Sequence, residues 1–266
     1  MKIHLTKFVK KHESMNFREL HHQPKLLLIG NVWDVASAKI MEKLNYPALG
    51  TSSAAIAATL GYQDGEEMEF GELEYVVKRI VANTRLPLSV DLEAGYSRYP
   101  EEIAKHIERL AQLGVAGINL EDSLVNGQRE LVNATSFSQL IGFIRDRLTV
   151  RGTDIFVNVR TDTFLVPGEN PVEETLARVQ QYETAGADGV FVPGIEKESD
   201  IRQIIQATSL PLNVMSMPNL PDFATLATLG VKRLSTGNFI HSKLLDQFEA
   251  TLRAIQSSKS FKSIFQ

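Results

Sequence analysis

The sequence predicts an α/β protein, a (β/α)8 TIM barrel with an extra N-terminal helix and a helical C-terminal extension. Short apolar runs with strand character alternate eight times with longer segments that repeat apolar residues at helical spacing. Gly114, Gly186 and Gly230 each follow a helical segment, where glycine suits a left-handed helix end. Strict β/α alternation predicts a parallel sheet. The length of 266 residues is close to the roughly 250 typical of the closed barrel.

The eight predicted strands are short, mainly apolar and fairly evenly spaced. They cover residues 26–30, 48–52, 86–93, 117–121, 155–161, 189–193, 210–215 and 232–236. No G-x-G-x-x-G motif follows the first strand. Its absence disfavours an open dinucleotide-binding sheet.

The predicted helices between the strands are long enough for right-handed crossovers. They cover residues 35–45, 54–60, 72–82, 101–113, 136–148, 172–185, 199–208, 222–229 and 239–256. Leu5, Phe8 and Val9 predict a further amphipathic helix near the start of the chain. We expect one domain over residues 1–266, with an N-terminal helical segment (1–24) and a C-terminal helical tail (238–266).

Composition and charge exclude several functional classes. Hydrophobic residues make up 43% and charged residues 23%, which is ordinary for a globular protein. The formal net charge of -4 provides no basic surface for nucleic acid. The longest aliphatic run, residues 26–29, is far below the ~20 residues needed to span a bilayer. The chain contains no cysteine, which removes thiol catalysis and thiolate metal sites, and we expect a cytoplasmic protein.

Polar side chains gather where the predicted strands end, which is where barrel enzymes place their active sites. Side chains alternate across a strand, so the apolar positions of these strands face the helices and the intervening polar positions face the barrel axis. The inward set comprises Asp91, Glu93, Asn119, Glu121, Asn158, Arg160 and Asn213. These residues converge from four strands, which favours a functional site over a structural polar network.

Three of these inward residues are carboxylates, which repel one another unless a cation or protons share the site. Asp91, Glu93 and Glu121 are therefore the predicted metal-site residues, and Mg²⁺, with Mn²⁺ as an alternative, is the predicted metal. Arg160 remains charged and can hold a substrate carboxylate or phosphonate through two parallel hydrogen bonds. Backbone N–H groups of Ser52, Ser53 and Ala54, at a helix start, can stabilise an oxyanion.

Two other barrel chemistries are disfavoured by residue position. A Schiff-base aldolase needs a lysine in the site, but Lys232 opens its strand at the opposite end of the barrel. A histidine-rich zinc site needs clustered imidazoles. Of the six histidines, four precede the barrel, and His241 follows the eighth strand and could reach the barrel mouth.

Six short motifs occur in order between residues 30 and 237. They read Asn31-Val32-Trp33-Asp34 with Ser37-Ala38, Thr51-Ser52-Ser53, Leu60-Gly61-Tyr62 with Asp64-Gly65, Asp91-x-Glu93-Ala94-Gly95-Tyr96, Gly117-Ile118-Asn119-Leu120-Glu121-Asp122, and Arg160-Thr161-Asp162. Together they resemble the isocitrate lyase/phosphoenolpyruvate mutase superfamily, and most closely its phosphoenolpyruvate or carboxyphosphonoenolpyruvate phosphonomutase-like members.

The resemblance implies a Mg²⁺-dependent lyase that makes or breaks a C–C or P–C bond beside a 2-oxo acid, through a pyruvate-type enolate. By position, Asp91 corresponds to the direct metal ligand, and Glu93 and Glu121 to carboxylates that hold metal-bound waters. Asp64 corresponds to the carboxylate that anchors the hydration shell of the metal.

The resemblance also implies a substrate-binding set for a small carboxylic acid. Ser52, Ser53 and Ala54 match the oxyanion segment, and Arg160 the substrate-binding arginine. The remaining candidates are Trp33, Asn213 and His241. The family also assembles as homo-oligomers, so the resemblance implies a dimer or tetramer that exchanges its C-terminal helix. The net charge and the short apolar runs predict neither nucleic acid nor a membrane as partner.

The loop after the fourth strand departs from the isocitrate and methylisocitrate lyases, which carry a catalytic cysteine there. Residues 123–134 contain no Cys, His or Lys, and Arg129 and Glu130 are the only ionisable side chains. We therefore predict a mobile loop, poor cleavage of methylisocitrate, and turnover of an oxaloacetate-like acid that loses CO₂. Two alternatives remain open: a mutase- or hydrolase-type P–C enzyme, and a non-catalytic metal-binding barrel that acts in binding or assembly.

Overall fold

Ten strands and ten helices occur in the part of the chain that the structure describes. The computed structural model describes residues 16–166 and 168–265. The strands are β1 Leu27–Val32, β2 Ala48–Thr51, β3 Leu88–Asp91, β4 Gly117–Glu121, β5 Ser123–Asn126, β6 Gln128–Leu131, β7 Phe156–Arg160, β8 Gly189–Phe191, β9 Leu212–Met215 and β10 Arg233–Ser235. The helices are α1 Phe17–His22, α2 Val35–Lys43, α3 Ser53–Leu60, α4 Phe70–Val81, α5 Pro100–Gln112, α6 Ala134–Arg151, α7 Pro171–Thr184, α8 Glu198–Ala207, α9 Phe223–Leu229 and α10 Phe239–Ser258, followed by the 3-10 turn Lys262–Ile264.

Eight of the strands close into a parallel barrel, which confirms the predicted fold class. Their order around the barrel is β1-β10-β9-β8-β7-β4-β3-β2. The register pairs Asp91 with Asn119, and Asn119 with Asn158, so polar positions of neighbouring strands lie at one level. Gly114, Gly186 and Gly230 have positive φ angles, as predicted for left-handed helix ends.

The hydrophobic core lies between the strands and the surrounding helices. The outward strand positions, such as Val90, Ile118 and Val157, are buried against residues of the helices. Val190, Leu212 and Val214 form a second cluster on the other side of the barrel. The inner face carries an apolar layer that includes Leu27, Ile29 and Phe156 near the amino ends of the strands, and polar groups follow toward the carboxyl ends. The predicted outward positions Val90, Ile118 and Val157 are confirmed.

The amino ends of the strands are covered by α1. Phe17 and Phe156 meet edge to face, and the buried His21 ring stacks on Phe156 with centroids 4.1 Å apart. Gly117 lies beneath this helix, where an added Cβ would approach the Phe17 ring to 2.6 Å. The amphipathic helix predicted over residues 1–12 lies outside the described residues. No helix in 16–166 or 168–265 is long and apolar enough to span a membrane.

Residues 123–131 form a regular hairpin, whereas the sequence predicted a loop without strands. β5 and β6 pair antiparallel, with Asn126 opposite Gln128. The turn residue between them, Gly127, has φ 78°, a conformation that glycine adopts at little cost. The dipeptide Asn126-Gly127 is a strong short-range signal for such a hairpin.

Candidate active site

A small polar cavity lies among the carboxyl ends of the barrel strands. Its volume is about 190 Å³. Its polar wall includes Asn31, Thr51, Ser52, Ser53, Asp64, Asp91, Asn119, Arg129, Arg160, Arg233, Ser235 and Asn238. Its apolar wall is formed by Leu165, Phe191, Pro193 and Met215. The fold therefore brings six of the predicted site residues to one cavity: Ser52, Ser53, Ala54, Asp64, Asp91 and Arg160.

Two carboxylates lie side by side at this cavity, connected by a serine. Ser53 Oγ lies 3.0 Å from Asp91 Oδ2 and 3.2 Å from Asp64 Oδ1, so its single proton serves both acids. Burial raises the pKa of Asp64, and the negative charge of Asp91 raises it further. Asp91 Oδ1 is buried without a hydrogen-bond partner among the described residues. The charges of Arg160 and Arg129 partly offset the rise in the pKa of Asp64, but Asp91 forms no ion pair among the described residues.

These residues fit a hard divalent cation. Mg²⁺ takes oxygen ligands, often only one or two carboxylates, and keeps several waters. The unpartnered Asp91 Oδ1 and the neighbouring Asp64 carboxylate supply such oxygens. Across residues 16–166 and 168–265, no three His, Asp or Glu side chains are close enough together to hold an ion by themselves. A zinc-type site with three or four protein ligands is therefore not formed here.

Glu93 does not lie beside Asp91 on the cavity wall, and this corrects the expectation that both face the barrel axis. β3 ends at Asp91, and Glu93 has φ 50°, so the strand alternation stops before it. Its Oε2 accepts hydrogen bonds from the N–H groups of Gly65 (2.9 Å) and Glu66 (2.8 Å), and Tyr96 donates to Oε1 (2.5 Å). Burial raises the pKa of Glu93 to about 7. Glu93 thus holds the segment that carries Asp64.

Glu121 lies behind the cavity wall, between two arginines. Arg129 Nη1 donates to Glu121 Oε1 at 2.5 Å. Arg160 Nη1 lies 2.9 Å from Oε2, although this oxygen lacks a well-aligned hydrogen bond. Burial raises the pKa of Glu121, while the charges of Arg160 and Arg129 oppose that effect. Because both arginines approach it so closely, we regard Glu121 as an ionised partner in this ion-pair network.

Arg160 lines the cavity, but its two parallel donors face another residue of the protein. Nε and Nη2 donate to the two oxygens of Asp162 at 2.6 and 3.1 Å. The Asp162 side chain has no exposed surface. The two parallel hydrogen bonds that the sequence predicted toward a substrate are therefore made to Asp162, although Arg160 still lines the cavity.

Arg129 is a cavity residue whose position the sequence did not reveal. From the hairpin it donates to Glu121, to Ser123 Oγ (2.7 Å) and to Asp162 Oδ2 (2.6 Å). Its Nη2 also lies 3.6 Å from Asp64 Oδ2. The side chain is 19% exposed. Arg129 therefore ties the hairpin down onto the carboxylates of the barrel mouth.

A buried network behind the barrel holds Arg129 and Asp162 in place. The Asp122 carboxylate accepts hydrogen bonds from Thr161 Oγ1 (2.7 Å), the Asp162 N–H (3.1 Å) and Tyr182 OH (2.7 Å). Arg178 pairs with the same carboxylate at 3.0 Å. This network joins β4, β7 and α7 at the base of the hairpin.

The other predicted substrate-binding residues lie away from the cavity wall. Asn213 is completely buried below it, accepting from Asn158 Nδ2 (3.2 Å) and donating to the Val214 carbonyl (2.7 Å). Trp33 and His241 pack edge to face, with ring centroids 4.9 Å apart, and neither lines the cavity. The alternation of side chains along the strand predicted that Asn213 lies on the inner face. It could not predict that Asn213 lies below the level of the cavity.

The helix α3 begins at the cavity. Ser52 caps it by accepting a hydrogen bond from the Ala55 N–H at 3.3 Å. Ser53 and Ala54 form its first turn, where N–H groups have no partner within the helix. Free amides and the helix dipole both favour an anion at this point. The predicted oxyanion segment is therefore placed beside Asp64 and Asp91.

Known proteins are similar to this chain over most of its length. Residues 17–256 match the family model for phosphoenolpyruvate phosphomutase. An uncharacterised protein of Mycobacterium tuberculosis is 32% identical over 245 residues, which cover 92% of this chain and 90% of that protein. An oxaloacetate decarboxylase of Paraburkholderia xenovorans is 29% identical over 249 residues, covering 90% and 81%.

A solved structure shows the same relationship. The crystal structure of a candidate phosphonomutase from Burkholderia cenocepacia superposes with a TM-score of 0.84 at 38% identity, and the match covers 89% of this chain and 97% of that one. Two of these three proteins are named as a decarboxylase and a candidate phosphonomutase, which favours an enzyme over the non-catalytic alternative. The chain thus belongs to the phosphoenolpyruvate phosphomutase family, and it is an enzyme of the isocitrate lyase/phosphoenolpyruvate mutase superfamily.

Proposed function

We propose that this enzyme is a Mg²⁺-dependent lyase that removes CO₂ from a small 2-oxo diacid such as oxaloacetate and forms a pyruvate-type enolate. The observation that carries the proposal is the cavity wall itself. It combines the Asp64–Asp91 pair and the start of α3 with an arginine, Arg129, supplied by the hairpin. The resemblance in sequence to an oxaloacetate decarboxylase supports it.

Asp64 and Asp91 would hold the metal ion, with Mn²⁺ as a substitute for Mg²⁺. A bound divalent cation supplies positive charge for the oxygen that becomes an enolate. The N–H groups at the start of α3 point toward the same region and can bind the substrate carboxylate. Leu165, Phe191 and Met215 exclude water from the opposite side and strengthen these electrostatic contacts.

The hairpin decides between CO₂ loss and aldol-type cleavage. A lyase that releases a second carboxylic acid must protonate the departing fragment with a placed acid. The hairpin instead presents Arg129, which keeps its proton at neutral pH. Loss of CO₂ needs no protonation of the departing fragment. The arrangement therefore favours decarboxylation.

The test is a substrate panel of oxaloacetate, phosphonopyruvate, methylisocitrate and substituted malates, assayed with Mg²⁺ for pyruvate release. Mg²⁺ alone promotes decarboxylation of oxaloacetate, so the blanks are the metal without protein and the Asp91→Ala variant. We expect oxaloacetate turnover well above both blanks. Cleavage of methylisocitrate at a rate matching or exceeding oxaloacetate decarboxylation would contradict the role assigned to the hairpin.

P–C bond chemistry is the second candidate function. The similarity to a candidate phosphonomutase, at 38% identity over most of both chains, favours it specifically. In the same panel, phosphonopyruvate is also followed by phosphorus NMR, because a mutase would form phosphoenolpyruvate and release no pyruvate. Consumption of phosphonopyruvate with no turnover of oxaloacetate would select this alternative. The metal site and the α3 amides would serve both reactions, because both pass through a pyruvate-type enolate.

The C-terminal helix supports the proposal of a homo-oligomer. α10 buries only His241 within the chain, and it exposes Phe239, Ile240, Leu244, Leu245, Phe248 and Leu252. An apolar face of this extent is typical of a subunit interface. We expect a dimer or tetramer formed by exchange of α10, and Phe248→Glu should shift the mass measured by light scattering toward the monomer. An unchanged mass would contradict it. A cytoplasmic location stays a prediction.

A further inference from the structure

An arginine lies inside the barrel at the floor of the cavity. Arg233 belongs to β10, and only 2% of its surface is exposed. Its Nη2 reaches Ser89 Oγ at 3.4 Å and Asn119 Oδ1 at 3.3 Å, both long hydrogen bonds. The side chain forms part of the cavity wall together with Asn119 and Ser235. None of the roles proposed above uses it.

This guanidinium has no carboxylate partner. Within 4.0 Å of it, no Asp or Glu oxygen occurs among the described residues, whereas the buried Arg160 and Arg178 pair with Asp162 and Asp122. Its Nε and Nη1 are buried and have no hydrogen-bond partner in the same part of the chain. Burial lowers the pKa of Arg233 to about 9. The charge of Asp91 offsets part of this effect, but it lies beyond ion-pair distance. A buried charge without a close partner is costly, so an anion that binds beside it would be stabilised.

The strand register places this charge below the carboxylate pair. Ser89, which Arg233 reaches, precedes Asp91 by two residues on β3 and shares its face of the strand. Two residues of strand span ~7 Å. The cavity therefore has a carboxylate end that fits a cation, and a cationic end about two residues deeper in the barrel.

We propose that Arg233, with Asn119 and Ser235, binds a second anionic group of the substrate at the cavity floor. The inference rests on the proposed function, and it adds to it by assigning the distal anion of the substrate to Arg233. One end is a 2-oxo or 2-hydroxy acid at the metal site, and the other is a carboxylate or phosphonate paired with Arg233. A distal carboxylate that leaves as CO₂ loses its ion pair with Arg233 during decarboxylation. The contact therefore contributes to the affinity for the substrate and not to stabilisation of the transition state.

The test compares ligands with and without the distal anion, using calorimetry in the presence of Mg²⁺. Oxalate mimics the enolate end only, malate adds a distal carboxylate, and phosphonolactate adds a distal phosphonate. The variants are Arg233→Met, Arg233→Lys and the control Arg147→Met, which removes an arginine paired with Glu108 outside the barrel. The thermal midpoint of each ligand-free variant is also measured.

We expect Arg233→Met to weaken malate or phosphonolactate at least about tenfold, the effect of losing a charge-assisted hydrogen bond. The dissociation constant of oxalate should change by less than about twofold in the same variant. The ligand that loses affinity identifies the distal group as carboxylate or phosphonate. Arg233→Lys should restore part of the affinity, and Arg147→Met should leave all three ligands unaffected.

A ligand-binding role also predicts that Arg233→Met is no less stable than wild type, because it removes an unpaired buried charge. Equal weakening of oxalate and malate, or no weakening of either distal-anion ligand, would overturn the role of Arg233. A large loss of stability with unchanged ligand selectivity would do the same. Failure of the wild-type protein to bind oxalate with Mg²⁺ would instead overturn the proposed function, and this assignment with it.

Discussion

Replacing Arg160 by lysine separates a catalytic arginine from a structural one. Arg160 makes two hydrogen bonds to Asp162 (2.6 and 3.1 Å) and approaches Glu121 at 2.9 Å. A lysine ammonium keeps the charge but cannot reproduce the planar pair of donors. At least one charge-assisted hydrogen bond is then lost, which is worth about 1.5–3 kcal/mol. If that loss falls on the transition state, kcat/KM decreases about 10- to 150-fold.

Arg147 provides the matched control. It forms the same two-bond pair with Glu108, at 2.6 and 3.2 Å, on the outside of the barrel. Arg147→Lys therefore loses a similar contact far from the cavity. The assay measures kcat/KM for oxaloacetate with Mg²⁺ and the thermal midpoint of both variants. We expect a smaller loss of stability in Arg147→Lys, because its pair is more exposed, and a loss of activity only in Arg160→Lys. Activity of Arg160→Lys within about twofold of wild type would show that Arg160 only supports Asp162.

Three further predictions concern the metal, the hairpin and acid stability. Asp91→Ala should abolish Mg²⁺ binding in calorimetry while the circular dichroism spectrum is retained, and unchanged metal affinity would refute Asp91 as the ligand. Arg129→Gln should accelerate amide exchange over residues 123–131 at least about tenfold, because the hairpin loses charge-assisted contacts; equal protection in variant and wild type would show that Arg129 does not hold the hairpin. Burial lowers the pKa of His21 to about 3, so between pH about 6.5 and 3 the unfolded chain binds a proton that the folded protein excludes, and stability falls by about 1.4 kcal/mol per pH unit on acidification. His21→Phe should remove that part of the slope in denaturant titrations, and an unchanged slope would refute it.

The sequence by itself determined the barrel and the end at which its chemistry lies. Strand alternation has a period of two residues, so Val90 and Ile118 could be assigned to the helix side, and Asp91 and Asn119 to the axis, without tertiary information. The start of α3 could also be predicted from local sequence, because Ser52 directly follows β2 and caps the helix. The fold class and the Asp64, Asp91 and Arg160 positions at the cavity followed from such local patterns and from the resemblance.

Only the tertiary structure decided which polar groups meet. The alternation ends where a strand ends, so it could not show that Glu93 turns away after Asp91 at φ 50°. The partners of Arg129 lie up to 33 residues away along the chain and are set by how the hairpin folds onto β4 and β7. Arg233 and Ser89 are 144 residues apart and touch only because the barrel closes. Such contacts depend on closure and depth within the barrel, and these properties are not encoded in the period of any single strand.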